Sequence, residues 1–215
     1  MGVAHYGLAI HTASASLGLA IDNFAGDRLV GDRRTQVWDL GRETSNLLHQ
    51  YLVEFLQPQT WADLAFIAVA KGPGGFTGTR IGVVTARTLA QQLELPLFAV
   101  STLAGVAWQR AKLQNDPIAV QMRAQRGEVF GAIYQLASSD HDRHLKILFP
   151  DTVMPLERWQ ETLNNWTTPL QQVEADTAIA ASVADLLELA YLDWRQGQRP
   201  HWAEALPFYG QHPVG

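Results

Sequence analysis

The residues best suited to chemistry in this sequence lie in one glycine-rich stretch, KGPGGFTGTR at residues 71–80. It follows an apolar run at residues 64–70 and precedes a helical pattern at residues 81–93. A glycine turn between a strand and a helix presents backbone N–H groups, which can bind an anion such as phosphate or allow close packing. Packing is the commoner use, because features of the fold outnumber binding sites, but the residues alone leave both uses open.

The stretch differs from the two standard nucleotide-binding loops. A Walker A loop ends in Gly-Lys-Ser/Thr, whereas Gly78 is followed by Thr79 and Arg80, and a G-x-G-x-x-G fingerprint is also missing. If the turn does bind a nucleotide, the residues predicted to face it are Thr12, Ser14, Gly74 and Gly75.

The other reactive side chains form no recognisable catalytic or metal-binding set. The chain has no cysteine, and its seven histidines include no H-E-x-x-H motif. His141 and His144 are three residues apart but fall in a predicted polar loop, and His11 follows the first strand without an evident partner. There is no Gly-x-Ser-x-Gly elbow and no readable carboxylate pair. We therefore predict no metal ligand and no catalytic residue.

The composition of the 215-residue chain is that of an ordinary globular protein, 47% hydrophobic and 17% charged. Its net charge of −5 argues against binding of RNA or DNA by the chain alone, since neutralising phosphates needs a basic surface. The sequence shows no signal-peptide pattern and no apolar run approaching about 18 residues, so we expect a cytoplasmic protein without membrane contact.

The hydrophobic pattern before residue 104 alternates strands with helices. Two apolar runs joined by a small polar turn predict a hairpin over residues 6–22. A more polar strand follows at residues 29–38, where Arg33 and Arg34 are expected to face water. Helices at 45–57 and 81–93 and strands at 64–70 and 97–100 complete the series. This order predicts an α/β fold, with a mixed sheet flanked by helices.

The second half of the chain starts in the same way. After a helix at 103–113, capped by Ser101 or Thr102, it has a predicted hairpin with strands at 118–122 and 128–136. A polar loop at 138–144, a strand at 145–149 and helices at 155–163 and 175–194 follow. Because each half begins with a hairpin, we expect two lobes, residues 1–104 and a smaller lobe at residues 105–215.

Both helices of the first half carry more apolar or small residues than one buried face needs. In the second helix, Gly82 and Ala86 lie on one side and Val84 lies on the other. That second side could pack against the protein's own other helix or against another subunit, and the pattern does not decide between them.

Several motifs in the chain are similar to those of the TsaB (YeaZ) family. Residues 72–82, GPGGFTGTRIG, resemble the family signature G-P-G-S-F-T-G-x-R-I-G, and residues 95–103, LPLFAVSTL, resemble its L-P-x-x-x-V-S-T-L segment. RGEVF at residues 126–130 and PFY at residues 207–209 match shorter motifs. The resemblance spans nearly the whole chain, is strongest over residues 64–104 and is thin after residue 140.

The resemblance implies the two-lobed ASKHA fold of acetate kinase, Hsp70 and actin. It also implies a non-catalytic scaffold in the synthesis of N6-threonylcarbamoyladenosine on tRNA. Such a scaffold pairs with a TsaD-like transferase, is joined by a TsaE-like ATPase and forms homodimers in isolation. It reaches tRNA only through the complex and needs no cofactor of its own, whereas the partner subunits use ATP and Mg²⁺.

By the same resemblance, the helices at residues 45–57 and 78–93 are expected to form the partner interface. The residues predicted to lie in it are Ser45, Leu48, Leu52, Phe76, Arg80, Ile81, Val84, Thr85 and Thr88. A charge placed at Leu48 or Val84 is therefore expected to break the complex and leave the monomer folded.

Two alternative functions are weighed beside the scaffold. The first is an ASKHA enzyme that binds or hydrolyses ATP through the hairpin tip and the glycine turn. His11 argues against it, because family members often have Asp at that position. The second is a glycoprotease-like metallopeptidase, which would need the metal-binding histidine pair of TsaD, and this sequence lacks that pair.

Overall fold

The computed structural model describes residues 6–24, 33–112, 116–139, 142–175 and 178–210. Within these ranges the chain forms two mixed β-sheets with helices against their faces, which confirms the predicted α/β class. The strands are β1 (Tyr6–His11), β2 (Ser16–Asn23), β3 (Arg34–Asp39), β4 (Leu64–Ala70), β5 (Leu97–Val100), β6 (Ile118–Arg123), β7 (Glu128–Ser139), β8 (Asp142–Pro155) and β9 (Gln171–Glu174). The α-helices are α1 (Thr44–Leu56), α2 (Phe76–Leu93), α3 (Thr102–Ala111), α4 (Leu156–Asn164) and α5 (Val183–Arg195).

The first sheet has the strand order β3-β2-β1-β4-β5. β1 and β2 form an antiparallel hairpin in which Ile10 lies opposite Leu19, and β4 and β5 run parallel to β1. Every residue of β1 is buried, because helices cover both faces of this sheet. β3 is an edge strand, and most of its residues are exposed.

Alternate residues of β1 face different helical layers. Ile10 belongs to a buried core together with Leu48 of α1 and Val83 of α2. Ala9 lies on the opposite face and packs with Val183 of α5. The first sheet is therefore the middle layer of three, with α1 and α2 on one side and α5 on the other.

The second sheet has the strand order β8-β7-β6-β9. β6 and β7 form a hairpin and β9 runs parallel to β6, which repeats the arrangement of β1, β2 and β4. α3 packs on one face, where Leu103 shares a buried core with Ile118. α4 covers the other face through Trp159, whose Nε1 donates a hydrogen bond of 2.8 Å to Gln121 Oε1.

The order of elements before residue 104 agrees with the prediction, but several bounds differ. α2 begins at Phe76, five residues before the predicted start, because the glycine-rich stretch supplies the first turn of the helix as well as the loop. The predicted polar loop at residues 138–144 mostly belongs to the β7–β8 hairpin, whose polar residues resemble a loop in sequence. The last helix begins at Val183, after a 3-10 turn at Ile179–Ser182. Residues 29–32 of the predicted third strand lie outside the described residues.

Arg33 is exposed, as expected, and Arg34 is half-buried, but each also bonds to a neighbouring element. Arg33 Nε donates a hydrogen bond of 2.7 Å to Asp22 Oδ2, and the Asp22 side chain is only 1% exposed. Arg34 Nη2 donates a hydrogen bond of 3.1 Å to the carbonyl of Leu56 at the end of α1. Both arginines therefore join β3 to its neighbours, because buried acceptors lie within their reach.

The proposed division into lobes at residue 104 stays a prediction. α5 comes from the second half of the sequence but packs against the first sheet. Ala205, still later in the chain, is buried in the core beneath α1 and α2.

The glycine-rich stretch packs directly against the tip of the β1–β2 hairpin. The Gly75 N–H donates a hydrogen bond of 2.7 Å to the Ala13 carbonyl, and Thr12 Oγ1 donates one of 2.8 Å to the Gly78 carbonyl. A Cβ atom on Gly78 would lie 2.1 Å from the Thr12 carbonyl oxygen, and one on Gly82 would lie 2.1 Å from Thr12 Oγ1. Glycine is needed here because the first turns of α2 touch the hairpin backbone.

Replacing Gly78 with alanine should destabilise the protein more than the same change at Gly75, the N-cap of α2, where alanine loses only a favourable capping residue. The added methyl group at position 78 clashes with the Thr12 carbonyl, while at position 75 the nearest neighbour would lie 3.7 Å away. We expect Gly78→Ala to lower the free energy of unfolding by about 1–3 kcal/mol, since overpacking outweighs the better helix propensity of alanine. Urea titration of both variants tests this, and equal stability of the two would contradict the packing role.

His11 ends β1 in a fully buried position. Its Nδ1 accepts a hydrogen bond of 3.3 Å from the Ala13 N–H, and its Nε2 has no hydrogen-bond partner among the described residues. Burial lowers the pKa of His11 from 6.5 to about 4, because the charged imidazolium loses its hydration. The side chain is therefore neutral at pH 7.

This burial predicts that the protein loses stability in acid. The unfolded chain binds a proton at His11 below about pH 6.5, whereas the folded chain does so only near pH 4. About 3 kcal/mol of the free energy of unfolding is thus present above pH 6.5, where His11 is neutral in both states, and is lost as the pH falls to 4. In His11→Asn, which does not titrate, the free energy of unfolding should change less between these pH values. Parallel curves for the two proteins would contradict the assignment.

Candidate functional site

The outer side of α2 carries a stripe of exposed residues. Phe76, Arg80, Val84 and Thr88 follow one another at intervals of four, so they lie along one side of the helix. All four are exposed, and Val84 and Phe76 keep 53% and 41% of their surface accessible. Two large apolar side chains on a single outward stripe are a surface that a partner could cover. We call these four residues the α2 stripe.

α1 carries a similar row beside α2. Ser45, His49 and Val53 are also spaced by four residues and exposed, with Val53 at 53%. α1 and α2 contact each other on the same face of the first sheet, so their outer sides belong to one surface. His49 and Val53 are not among the predicted interface residues, although their interval of four from Ser45 could have identified them.

Three of the predicted interface residues belong instead to the chain's own core. Leu48, Leu52 and Thr85 are buried, and both leucines pack in the core between the helices and the sheet. They fall on the inner side of their helices, so a partner cannot touch them in the folded monomer. Ile81 is half-buried and packs at the edge of the same core.

The residues predicted for a nucleotide site make hydrogen bonds or close contacts within the chain, although Gly75 is exposed. Thr12 is fully buried, and its hydroxyl group and the Gly75 N–H are both bonded to carbonyl oxygens of the chain. A Cβ atom on Gly74 would lie 2.2 Å from the Ala13 carbonyl oxygen, so hairpin backbone occupies the space beside this turn. Ser14 Oγ accepts a hydrogen bond of 3.3 Å from the Ser16 N–H. The prediction for Thr12 is corrected, because a buried, bonded hydroxyl cannot contact a phosphate.

A separate cleft of about 680 Å³ lies between the first sheet's β5 edge, the C-terminal half of α5 and the strands β7 and β8. Its polar lining includes Lys71, Ser101, Tyr134 and Asp151, and none of the predicted nucleotide-site residues lines it. The Tyr134 hydroxyl group donates a hydrogen bond to Asp151 and accepts one from the Ser101 hydroxyl group, whose oxygen also caps α3 as predicted. Burial, reinforced by the charge of Asp151, raises the pKa of Tyr134, so its hydroxyl group acts as a donor at neutral pH.

Metal ligands do not cluster in the part of the chain that the structure describes. No three His, Asp or Glu side chains there lie close enough together to hold an ion. His144 lines the cleft, whereas His141 lies outside the described residues. Among those same residues, no helix is both long and apolar enough to cross a membrane.

Comparison with known proteins places this chain among proteins of tRNA modification. A family model described as TsaD, tRNA N6-adenosine threonylcarbamoyltransferase, matches residues 47–186, more than half of the chain. The tRNA threonylcarbamoyladenosine biosynthesis protein TsaB of Bacillus subtilis is 32% identical over 174 residues, which cover 80% of this chain and 72% of that protein. The protein of the same name from Escherichia coli K12 is 37% identical over 112 residues, 49% of this chain and 47% of that protein.

The fold is also that of a solved structure. YeaZ from Pseudomonas aeruginosa superposes with a TM-score of 0.74 at 24% identity, covering 95% of this chain and all of that one. This likeness confirms the predicted two-sheet, ASKHA-like fold. Together with the sequence identity to the Bacillus subtilis protein, it leads to one conclusion: the chain belongs to the TsaB (YeaZ) family.

Proposed function

We propose that this chain is a non-catalytic subunit of the machinery that makes N6-threonylcarbamoyladenosine on tRNA. In this role it docks against a TsaD-like transferase and activates it, and a TsaE-like ATPase joins the pair. The proposal draws on the family, whose members are named for this biosynthesis, and on the TsaD family model that matches the chain. ATP, Mg²⁺ and the tRNA are handled by the other subunits.

The observation that carries the proposal is the α2 stripe on a helix held rigidly in place. Phe76 and Val84 remain exposed, while the opposite side of α2 is fixed by the contacts of Gly78 and Gly82 with Thr12. A rigid apolar surface binds with little loss of conformational entropy. Covering such side chains contributes about 25 cal/mol for each Å² of apolar surface removed from water.

The match of this chain to the TsaD family model suggests how the chain and a TsaD-like subunit dock. The TsaD family model matches residues 47–186, which include all of α2 and most of α1, so a TsaD-like partner has counterparts of both helices. Two such helix pairs can pack face to face around a local twofold axis. The same geometry allows two copies of this chain to pair, and we propose that homodimers formed in isolation use the same surface.

Other features of the molecule are consistent with a subunit that carries out no catalysis itself. The net charge of −5 disfavours direct binding of tRNA. The Gly75 N–H and the Thr12 hydroxyl, which a phosphate would need, are bonded within the chain. No observation therefore favours ATP hydrolysis by the chain alone.

Val84→Glu should break the complex without unfolding the chain. Burying an unpaired carboxylate costs about 3 kcal/mol or more, so the dissociation constant for a TsaD-like subunit should rise by about 100-fold or more. Calorimetry with the purified partner measures this, and the thermal midpoint of the variant should match that of the wild type, because Val84 is exposed.

Val37→Glu is the matched control. Val37 is 43% exposed on β3 and lies opposite Gly18, which faces Ala180 on the sheet face away from α1 and α2. Its binding should equal that of the wild type. Unchanged binding of Val84→Glu, or an equal loss in both variants, would contradict the proposed surface.

A charge at Leu48 should act differently from the charge at Val84. Leu48 is completely buried, so Leu48→Glu should unfold the monomer instead of producing a folded chain that cannot bind. Circular dichroism of the isolated variant distinguishes the two effects. A folded Leu48→Glu monomer would place this residue on the surface, against the structure described above.

A further inference from the structure

The chain after α5 runs back along α2 as residues 200–209, a segment with one 3-10 turn at Trp202–Glu204, which we call the strap. The Arg87 guanidinium lies 5.9 Å from the centre of the Trp202 ring, and the Phe76 ring lies 4.4 Å from that of Tyr209. Phe76 opens α2 and Arg87 lies three turns further on. The strap therefore passes antiparallel to α2, from the fourth turn of the helix back to its beginning.

Backbone contacts fix the strap at both ends. The Leu97 N–H donates a hydrogen bond of 3.2 Å to the Pro200 carbonyl, and the Phe208 N–H donates one of 2.6 Å to the Lys71 carbonyl. A Cβ atom on Gly72 would lie 2.4 Å from the Phe208 carbonyl oxygen, so the glycine turn lets the strap approach. Between these ends, Ala205 is buried in the core.

One large apolar side chain of the strap points outward. Leu206 is 63% exposed, although its neighbour Ala205 is buried and Phe208 is half-buried. The anchoring contacts involve backbone groups, Ala205 and the rings of Trp202, Phe208 and Tyr209, so the fold does not need a leucine at position 206. Tyr209 also stays partly accessible beside Phe76 of the α2 stripe.

The strap extends the surface formed by the two helices. α1 packs over β2, α2 packs over β1 and β4, and the strap begins beside β5, while the strands follow one another in the order β2-β1-β4-β5. α2 therefore lies between α1 and the strap on one face of the sheet. Val53, Val84, Phe76 and Leu206 give this layer four exposed apolar side chains spread over its three elements.

The charges on α2 indicate which kind of partner surface would complement it. α2 carries Arg80 and Arg87 and no carboxylate along its whole length. A partner that covers α2 must place apolar side chains over Phe76 and Val84. An acidic group of the partner near Arg80 would complement the charge of that side chain. A basic or strongly hydrated surface does not fit this description.

We infer that the strap is one wall of the docking surface and that Leu206 contacts the partner directly. The partner is a helical surface of the TsaD-like subunit, apolar at its centre with an acidic group opposite Arg80. This inference rests on the proposed function and deepens it, because it assigns to the interface a segment outside the two helices.

Leu206→Glu in the full-length chain tests the inference. Its dissociation constant for the TsaD-like subunit should rise at least about tenfold, with an unchanged thermal midpoint. Ile147→Glu is the matched control, since Ile147 is 61% exposed on β8 of the second sheet, and its binding should stay that of the wild type. If Leu206→Glu lowers the thermal midpoint, Leu206→Ala replaces it, with an expected weakening of about threefold to tenfold.

The possible outcomes distinguish a failure of the strap inference from a failure of the proposed function. If Val84→Glu loses the partner and both Leu206 variants bind normally, the strap inference is overturned and the proposed function stands. If neither the Val84 nor the Leu206 variants lose binding, both are overturned. If the Leu206 variants abolish only self-association, as measured by light scattering, the strap belongs to an interface between copies of this chain and the inference is overturned.

Discussion

The backbone of the β1–β2 turn lies directly against three glycines spaced four residues apart. Gly74 and Gly78 meet the carbonyl oxygens of Ala13 and Thr12, and Gly82 meets the Thr12 side chain. A side chain at any of these glycines would push α2 away from the sheet. The direction of α2, the closure of the glycine turn and the position of the strap across Gly72 all depend on this close approach.

The same constraint determines which side of α2 faces outward. Close contact requires small residues on the inner side, and Gly82, Ala86 and Ala90 are buried there. The larger apolar residues Phe76 and Val84 lie on the outer side, where a helix of an isolated domain usually carries polar residues. The fold thus uses the glycine turn for packing, and we propose that the surface that results is covered by another protein.

Much of this could be predicted from the sequence, because periodicity and glycine spacing are local signals. The strands β1, β2 and β4 and the tight turn at residues 71–80 could be predicted from these signals. The side of each helix that faces the core could not be predicted, since Leu48 and Val84 are both apolar. Only the position of the sheet shows that Leu48 points inward. The strap has no periodicity, and its place beside α2 depends on contacts between residues over 100 positions apart, such as that of Tyr209 with Phe76.

The most direct test of the docking account is hydrogen–deuterium exchange of the full chain with and without a purified TsaD-like subunit. Exchange reports local opening of the backbone, and a covered helix opens less often. If the helices and the strap form the docking surface, peptides from α2 and from residues 200–209 should exchange more slowly on binding, with no change in peptides from β8. Unchanged exchange in α2 at saturating partner, with protection elsewhere in the chain, would contradict this docking surface.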